Sequence, residues 1–321
     1  MPSATPSQPR NLAGLREMYL NSSPEDGIYL GDPTPHRKTR WLPMEGAGAD
    51  GHVLAISSED EAPSPASLLA VLRITSKDNW TMPDGNWKGP REFAKHFADV
   101  KLTCTGAQPP SGVFRGDYPH VVDNLKGIQD MIAAAGCEKK KGLLVEVKRG
   151  DPSGGLKVKF QHALFQKKSD DDSDGDAAEH EDGEASDGVP SIENWPTSHP
   201  KAKNALTKMK DTYDLFPLPL YKQLSFESDR CKLVQPQDYC RSLSEAIVEV
   251  RFELTHWRLK KTNEEVFSAH IQNMCLLPVP AMALPSPSKK RPRVGAEHPF
   301  SPLKRMRLES ATDAGSESLR G

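Results

Sequence analysis

A dense run of basic residues is the first feature of this sequence that could do chemistry. Residues 138–168 contain nine lysines and arginines against only three carboxylates. Cations on the polar face of paired β-strands attract phosphates, and aromatic side chains beside them can stack on bases. The segment is therefore a candidate surface for single-stranded or structured nucleic acid. The candidate contacts are Lys139, Lys140, Lys141, Lys148, Arg149, Lys157, Lys159, Phe165 and Trp257.

Two of these residues are candidate stacking groups. Phe165 is expected on the outward face of its strand, and Trp257 falls in register with Glu249, Arg251 and Glu253, not with the apolar positions. The alternative is an ordinary solvated strand, with Trp257 packed beneath a loop.

The C-terminal region carries two basic clusters, KKRPR at 289–293 and KRMR at 304–307. Their spacing resembles a bipartite nuclear localisation signal, so we expect a nuclear import receptor as a partner and the nucleus as the location. The candidate residues are Lys289, Lys290, Arg291, Arg293, Lys304, Arg305 and Arg307. Ser286 and Ser301 precede the clusters in Ser-Pro-x-Lys sequences, which resemble sites of cyclin-dependent kinases. The alternative is a basic tail that only aids solubility.

An acidic block opposes these basic segments. Residues 169–188 hold ten carboxylates and no lysine or arginine, so a net charge of -2 for the whole chain leaves +8 for the rest. Ser169 and Ser173 each have an aspartate three residues on, which resembles acidophilic kinase sites. The block could compete internally for the basic hairpin, or hold basic chromatin proteins as part of a chromatin or transcription interaction module. The alternative is a solvated loop.

The sequence carries no signature of a catalytic, cofactor or metal site. It has no phosphate-binding glycine loop, no G-x-S-x-G, no H-E-x-x-H and no C-x-x-C. We therefore expect a non-enzymatic protein without cofactor or metal. The alternative is an enzyme of unfamiliar type, whose site is assembled from residues distant in sequence. Five widely spaced cysteines and an N-terminus without an apolar stretch indicate a reducing compartment, and the lack of a long apolar run predicts no membrane association.

Two β-hairpins are the clearest predicted elements. In the first, 143–148 alternates apolar and polar residues, as does 156–165, and the turn-rich RGDPSGG joins them. In the second, Val248, Val250, Phe252 and Leu254 alternate with charged residues before a return strand at 266–277. Shorter strands are predicted at 27–33, 50–56, 67–75 and 100–104.

Four helices are predicted from apolar spacing and capping residues. The first follows Pro90 over 91–100, after Trp80 and Trp87 on either side of a Pro-Asp-Gly turn. The second begins at Asp123 or Asn124 and ends at Gly136. The third spans 201–213, and the fourth lies near 236–244.

Together these elements predict an α+β fold: a β-rich single domain, either an OB-like barrel or a sheet with two or more helices. The predicted organisation is a disordered lead (1–12), a first β-rich part (13–167), an acidic disordered insertion (168–199), a second part (200–277) and a disordered basic tail (278–321). The alternative is a linker at 168–199 between two domains.

The sequence VEVRFELTHWRLKK at 248–261, followed by VFSAHIQNMCLL at 266–277 and a basic Pro/Ser tail, resembles uncharacterised protein families of mushroom-forming fungi. The resemblance implies no site residue. It favours a nuclear, non-enzymatic protein.

Overall fold

The computed structural model describes residues 11–33, 39–44, 50–56, 64–90, 94–134, 137, 139–146, 155–168, 190–226 and 228–278. All of them belong to one compact unit, Met1–Val279. The acidic block and the basic tail lie outside the described residues. Within the part described, no helix is long and apolar enough to cross a membrane.

The described residues form a β-rich α+β fold, which confirms the predicted class. The strands are β1 (Ile28–Tyr29), β2 (Thr39–Pro43), β3 (Gly51–Ile56), β4 (Leu68–Ile74), β5 (Lys101–Ala107), β6 (Lys139–Lys141), β7 (Leu144–Glu146), β8 (Leu156–Ala163), β9 (Phe165–Lys167), β10 (Tyr213–Leu215), β11 (Leu220–Ser225), β12 (Ser228–Leu233), β13 (Ile247–Leu259) and β14 (Glu264–Leu276). The helices are α1 (Leu12–Leu20), α2 (Val113–Asp130), α3 (Pro200–Met209) and α4 (Tyr239–Leu243).

Five strands pair in a closed circuit at the centre of the main sheet. β4 pairs with β5, β5 with β8, β8 with β14, β14 with β13, and β13 with β4. The β8–β14 pairing is parallel and the other four are antiparallel. Since β8 precedes the acidic block and β14 follows it, both β-rich parts of the chain build one sheet.

Both predicted hairpins are present. β7 pairs with β8, and β13 pairs with β14 along twelve residues of register. Val248, Val250, Phe252 and Leu254 are fully buried, as their alternation predicts. Each such side chain contributes about 1.5–3 kcal/mol when it leaves water, so this strand is a main stabiliser of the core.

The predicted helix over 91–100 is wrong for the residues described. Residues 94–100 contain only a 3-10 turn, Phe97–Asp99. The Asp99 carboxylate accepts a hydrogen bond from the His96 backbone N–H at 3.0 Å, so this short turn is capped at His96. The Phe97 ring is buried, with its centroid 5.3 Å from that of Trp87. Tertiary packing of one aromatic ring thus replaces the predicted helix.

The second predicted helix exists but begins about ten residues earlier. It starts at Val113, after Gly112, whose φ of +82° few other residues adopt. Asn124 is not its N-cap, because the Asn124 amide donates hydrogen bonds to the carbonyls of Leu30 (2.8 Å) and Asp32 (2.9 Å). The capping residue expected from sequence therefore fixes the helix to a neighbouring loop.

Helices α3 and α4 lie within or beside their predicted ranges, and α3 begins at Pro200 and ends at Met209. Helix α1 was not predicted. Its N-cap is Asn11, whose side chain accepts the Gly14 N–H at 2.9 Å. Leu15 and Tyr19 lie one turn apart and are buried, which attaches α1 to the sheet.

Candidate functional site

A cleft lies on the outer face of β5, β7 and β8, beside the segment that follows β4. Its volume is about 280 Å³. We call it the Trp80 cleft and define it by its lining residues: Lys77, Asp78, Trp80, Thr103, Cys104, Thr105, Val145, Glu146, Lys157 and Lys159.

Strand alternation places the polar residues of this cleft on one face. Leu102 and Cys104 of β5 are fully buried, so Thr103 and Thr105 point to the opposite face. Thr105 is paired with Lys159 of β8. Directly opposite residues in paired strands have side chains on the same face, so Lys159 stands beside Thr105 above the sheet.

Trp80 is exposed but rigidly supported. Its side chain is 40% exposed, and its backbone N–H donates to the Thr103 carbonyl at 2.7 Å. The residues on either side are buried: the Asn79 amide donates to the Cys240 carbonyl at 3.0 Å, and the Thr81 hydroxyl donates to the Asn79 side-chain oxygen at 2.6 Å. The indole therefore stands on a fixed base and needs little ordering before it stacks on a planar ligand.

The charges in the cleft favour an anion by a small margin. Three lysines, Lys77, Lys157 and Lys159, face two carboxylates, Asp78 and Glu146, which leaves one net positive charge. Lys157 is only 5% exposed, whereas Lys159 is exposed. Lys159 and Lys77 are thus the ammonium groups that a ligand can reach most directly.

A row of uncharged polar groups extends from the cleft across the sheet. Thr103 of β5 pairs with Gln161 of β8, which pairs with His270 of β14. His270 Nε2 lies 2.9 Å from the Thr255 hydroxyl oxygen and 3.3 Å from the Gln161 amide nitrogen. Burial, assisted by the nearby Lys101 and His162, lowers the pKa of His270 to about 4. The ring is therefore neutral at physiological pH.

The structure separates the predicted basic residues into two groups. Lys157 and Lys159 line the Trp80 cleft. Lys139, Lys140 and Lys141 are exposed on β6, which pairs with the start of β14. Lys140 forms an ion pair with Asp130, and Lys141 with Glu264.

Trp257 belongs to the second group. It is 37% exposed, so it does not pack beneath a loop. It pairs with Val266, which pairs with Lys141, so the three residues share one row of the sheet.

The predicted outward position of Phe165 is wrong. Phe165 is 7% exposed, and its ring centroid lies 5.3 Å from that of Phe97. The alternation breaks between β8 and β9, where Leu164 is fully buried as well. Because β9 leaves the main sheet to pair with β10, its first side chain enters the core.

The remaining predicted site residues lie outside the described residues. These are Lys148 and Arg149, the phosphorylation candidates Ser169, Ser173, Ser286 and Ser301, and the localisation candidates Lys289, Lys290, Arg291, Arg293, Lys304, Arg305 and Arg307.

Trp80 and Lys77 are the site residues that sequence reasoning missed. The Trp80/Trp87 pair around the Pro-Asp-Gly turn is visible in the sequence. Trp87 is buried and Trp80 is exposed, and nothing in the local pattern separates them.

Among the described residues, no group of three or more His, Cys, Asp or Glu is placed to hold a metal ion. The Cys104 thiol lies beneath the cleft, and burial raises its pKa to about 12, so it stays protonated at neutral pH. Cys104 is therefore not an activated nucleophile.

Comparison of this chain with protein-family models, with curated proteins and with solved structures found no match.

Proposed function

We propose that this protein binds single-stranded nucleic acid in the Trp80 cleft. The observation that carries the proposal is an exposed tryptophan, held rigidly at the edge of paired β-strands, with Lys77 and Lys159 in the same cleft. Stacking of one base on an aromatic ring contributes about 1–3 kcal/mol and tolerates any sequence, while lysines attract the backbone phosphates.

We also propose that the five-strand circuit is an OB-like barrel. OB folds are five-stranded, partly open Greek-key barrels that bind oligonucleotides over their second and third strands. In chain order β5 and β8 are the second and third strands of the circuit, and both line the Trp80 cleft. The position of the cleft and the order of the strands support the same kind of ligand.

The experiment is fluorescence anisotropy with labelled single-stranded DNA and RNA across a salt series. Trp80→Ala removes the stacking surface and should weaken binding about 5- to 150-fold. The logarithm of the binding constant falls linearly with the logarithm of the salt concentration. Replacing Lys77 and Lys159 with Gln should make this fall less steep, by about 0.7 in slope for each phosphate that the protein no longer neutralises. Lys208→Gln, at an exposed lysine of α3, is the matched charge control and should change nothing.

Trp257→Ala tests whether the ligand reaches the other end of the sheet, because Trp257 is about as exposed as Trp80 but lies outside the cleft. If only Trp257→Ala weakens binding, the site lies on β13, β14 and β6 and the cleft proposal is wrong. If no oligonucleotide binds the wild-type protein at low salt, the nucleic-acid proposal is wrong altogether.

A second candidate function rests on the ten carboxylates of residues 169–188. We propose as the alternative that this block binds basic chromatin proteins. A variant lacking 169–188 separates the two functions. Tighter oligonucleotide binding by the variant supports competition between the block and a cationic nucleic-acid site, whereas loss of histone binding with unchanged oligonucleotide binding favours the interaction module.

Nuclear location is likewise a proposal, supported by the basic clusters at 289–293 and 304–307. A fluorescent fusion in which the seven basic residues of these two clusters are changed to Gln should stay in the cytoplasm, while the unaltered fusion should enter the nucleus. Nuclear accumulation of both fusions would exclude the tail as the import signal.

A further inference from the structure

A second groove lies between the segment 192–197 and helix α3. Its volume is about 500 Å³, larger than that of the Trp80 cleft, with which it shares no residue. We propose that this groove, which we call the α3 groove, binds a phosphorylated side chain of a peptide. The proposal does not depend on nucleic-acid binding.

One wall of the groove is a polar face of α3. Lys203, Thr207 and Lys210 line it at spacings of four and three residues, which places them on one side of the helix. Ala202 and Met209, on a different side of the helix, are buried. The lysines are exposed, so both ammonium groups can turn toward a ligand in the groove.

The other wall holds a buried hydroxyl without a partner. Thr197 lines the groove and is 5% exposed, and its Oγ1 has no hydrogen-bond partner among the described residues. A buried polar group without a partner is unfavourable, and native proteins rarely retain one without a reason. The hydroxyl has almost no accessible surface, so its side chain must turn toward the groove before a ligand oxygen can accept this hydrogen bond and remove the penalty.

The position of Thr197 is fixed from both sides. The Trp195 indole N–H donates to the Pro83 carbonyl at 3.0 Å. The Ser198 N–H donates to the Asp84 carboxylate at 3.1 Å, and the Ser198 hydroxyl to the same group at 2.6 Å. Because its neighbours are held, the Thr197 backbone cannot easily move to find a partner elsewhere, and only its side chain is left to turn toward the groove.

The groove carries one net positive charge, which favours an anion. Lys203 and Lys210 line the groove against a single carboxylate, Glu193. Lys168 also lies at this end of the helix, with its Nζ 3.4 Å from the Lys210 carbonyl oxygen and 4.0 Å from Asp214. A phosphate monoester carries about -1.5 to -2 charges and three acceptor oxygens, so it can pair with both groove lysines and the Thr197 hydroxyl together.

The apolar lining favours a peptide over the free ion. Ile192, Pro196 and Leu206 also line the groove, and its volume is several times what one phosphate group needs. An apolar side chain next to the phosphorylated residue would fill that part.

The test uses isothermal titration calorimetry on the full chain with a short peptide that holds one phosphoserine beside a leucine. The matched probes are the unphosphorylated peptide and inorganic phosphate. We expect the phosphopeptide to bind at least tenfold more tightly than either probe. Replacing both Lys203 and Lys210 with Gln should weaken it about tenfold per lysine, and Lys208→Gln, on the same helix but outside the groove, should have no effect.

Thr197→Val separates a ligand-binding role from a structural one. Without ligand the variant should melt at or above the temperature of the wild-type protein, because its hydroxyl has no partner to lose, yet it should bind the phosphopeptide several-fold more weakly. A lower melting temperature, equal binding of both peptides, or phosphopeptide binding unchanged by the lysine and threonine variants would overturn the proposal. Inorganic phosphate that binds as tightly as the phosphopeptide would show that the peptide part is wrong.

Discussion

Acidification should destabilise this protein through His270, which lies on β14 beside Gln161 and Thr255. Burial and the nearby Lys101 and His162 lower its pKa in the folded state to about 4, whereas an unfolded histidine has a pKa near 6.5. The unfolded chain therefore takes up a proton first as the pH falls. The stability associated with a neutral His270 is complete above about pH 6.5 and is lost progressively down to about pH 4.

The size of the effect follows from the two pKa values. A difference of about 2.5 pKa units, at about 1.4 kcal/mol for each unit, corresponds to roughly 3 kcal/mol in full. Between pH 7 and pH 5 the histidine of the unfolded state becomes protonated while that of the folded state stays mostly neutral, so about 2 kcal/mol is lost over that interval.

The assay is urea unfolding at pH 7, 6 and 5 for the wild-type protein and for His270→Gln. Glutamine keeps an amide near Thr255 and Gln161 but does not titrate, so the variant should lose about 2 kcal/mol less than the wild type between pH 7 and pH 5. His120→Gln, at a histidine of α2, is the control and should follow the wild type. If the free energy of unfolding falls equally in the wild type and in His270→Gln between pH 7 and pH 5, His270 is not buried as described.

The core and a buried hydrogen bond between a carboxylate and an imidazole provide two further predictions. Phe165→Ala should lower the free energy of unfolding by about 3–5 kcal/mol and leave oligonucleotide affinity of the folded protein unchanged, as urea titration and anisotropy would show, because Phe165 packs in the core. If folded Phe165→Ala binds the oligonucleotide more weakly than the wild type, Phe165 has the stacking role that the sequence predicted. Glu265→Ala removes the buried hydrogen-bond partner of His256 and should cost about 1.5–3 kcal/mol, whereas Glu264→Ala, at a neighbouring ion pair, should cost less. Similar losses in the two variants by urea titration would contradict the difference in burial.

The hairpins could be predicted because their evidence is local. Val248 to Leu254 alternates with charged residues, and a strand with one buried face must show that period whatever surrounds it. The same reasoning identified β8, where Val158 and Phe160 are buried and Lys159 is exposed. It failed at Phe165, where the chain passes from one sheet to another and the period no longer applies.

Helix boundaries were predicted poorly, because their capping residues have several uses. Asn124 has the chemistry of an N-cap, but its amide binds the carbonyls of Leu30 and Asp32, which are distant in sequence. Phe97 has helical spacing with its neighbours, but it packs between Trp87 and Phe165. In each case an interaction with a distant part of the chain outweighed a local preference worth less than about 1 kcal/mol per residue.

The sequence by itself determined which segments form long strands and where charge accumulates, because alternation and composition are properties of consecutive residues. Only the tertiary structure decided that the basic residues separate into two groups, that Trp80 and not Phe165 lines a cleft with Lys159, and that Thr197 lines a groove with two lysines of α3. Those arrangements join residues that are far apart in the chain, and they depend on strand order and on which aromatic rings fill the core. Neither the strand order nor the choice of core aromatic rings produces a periodic pattern in the sequence around the site residues.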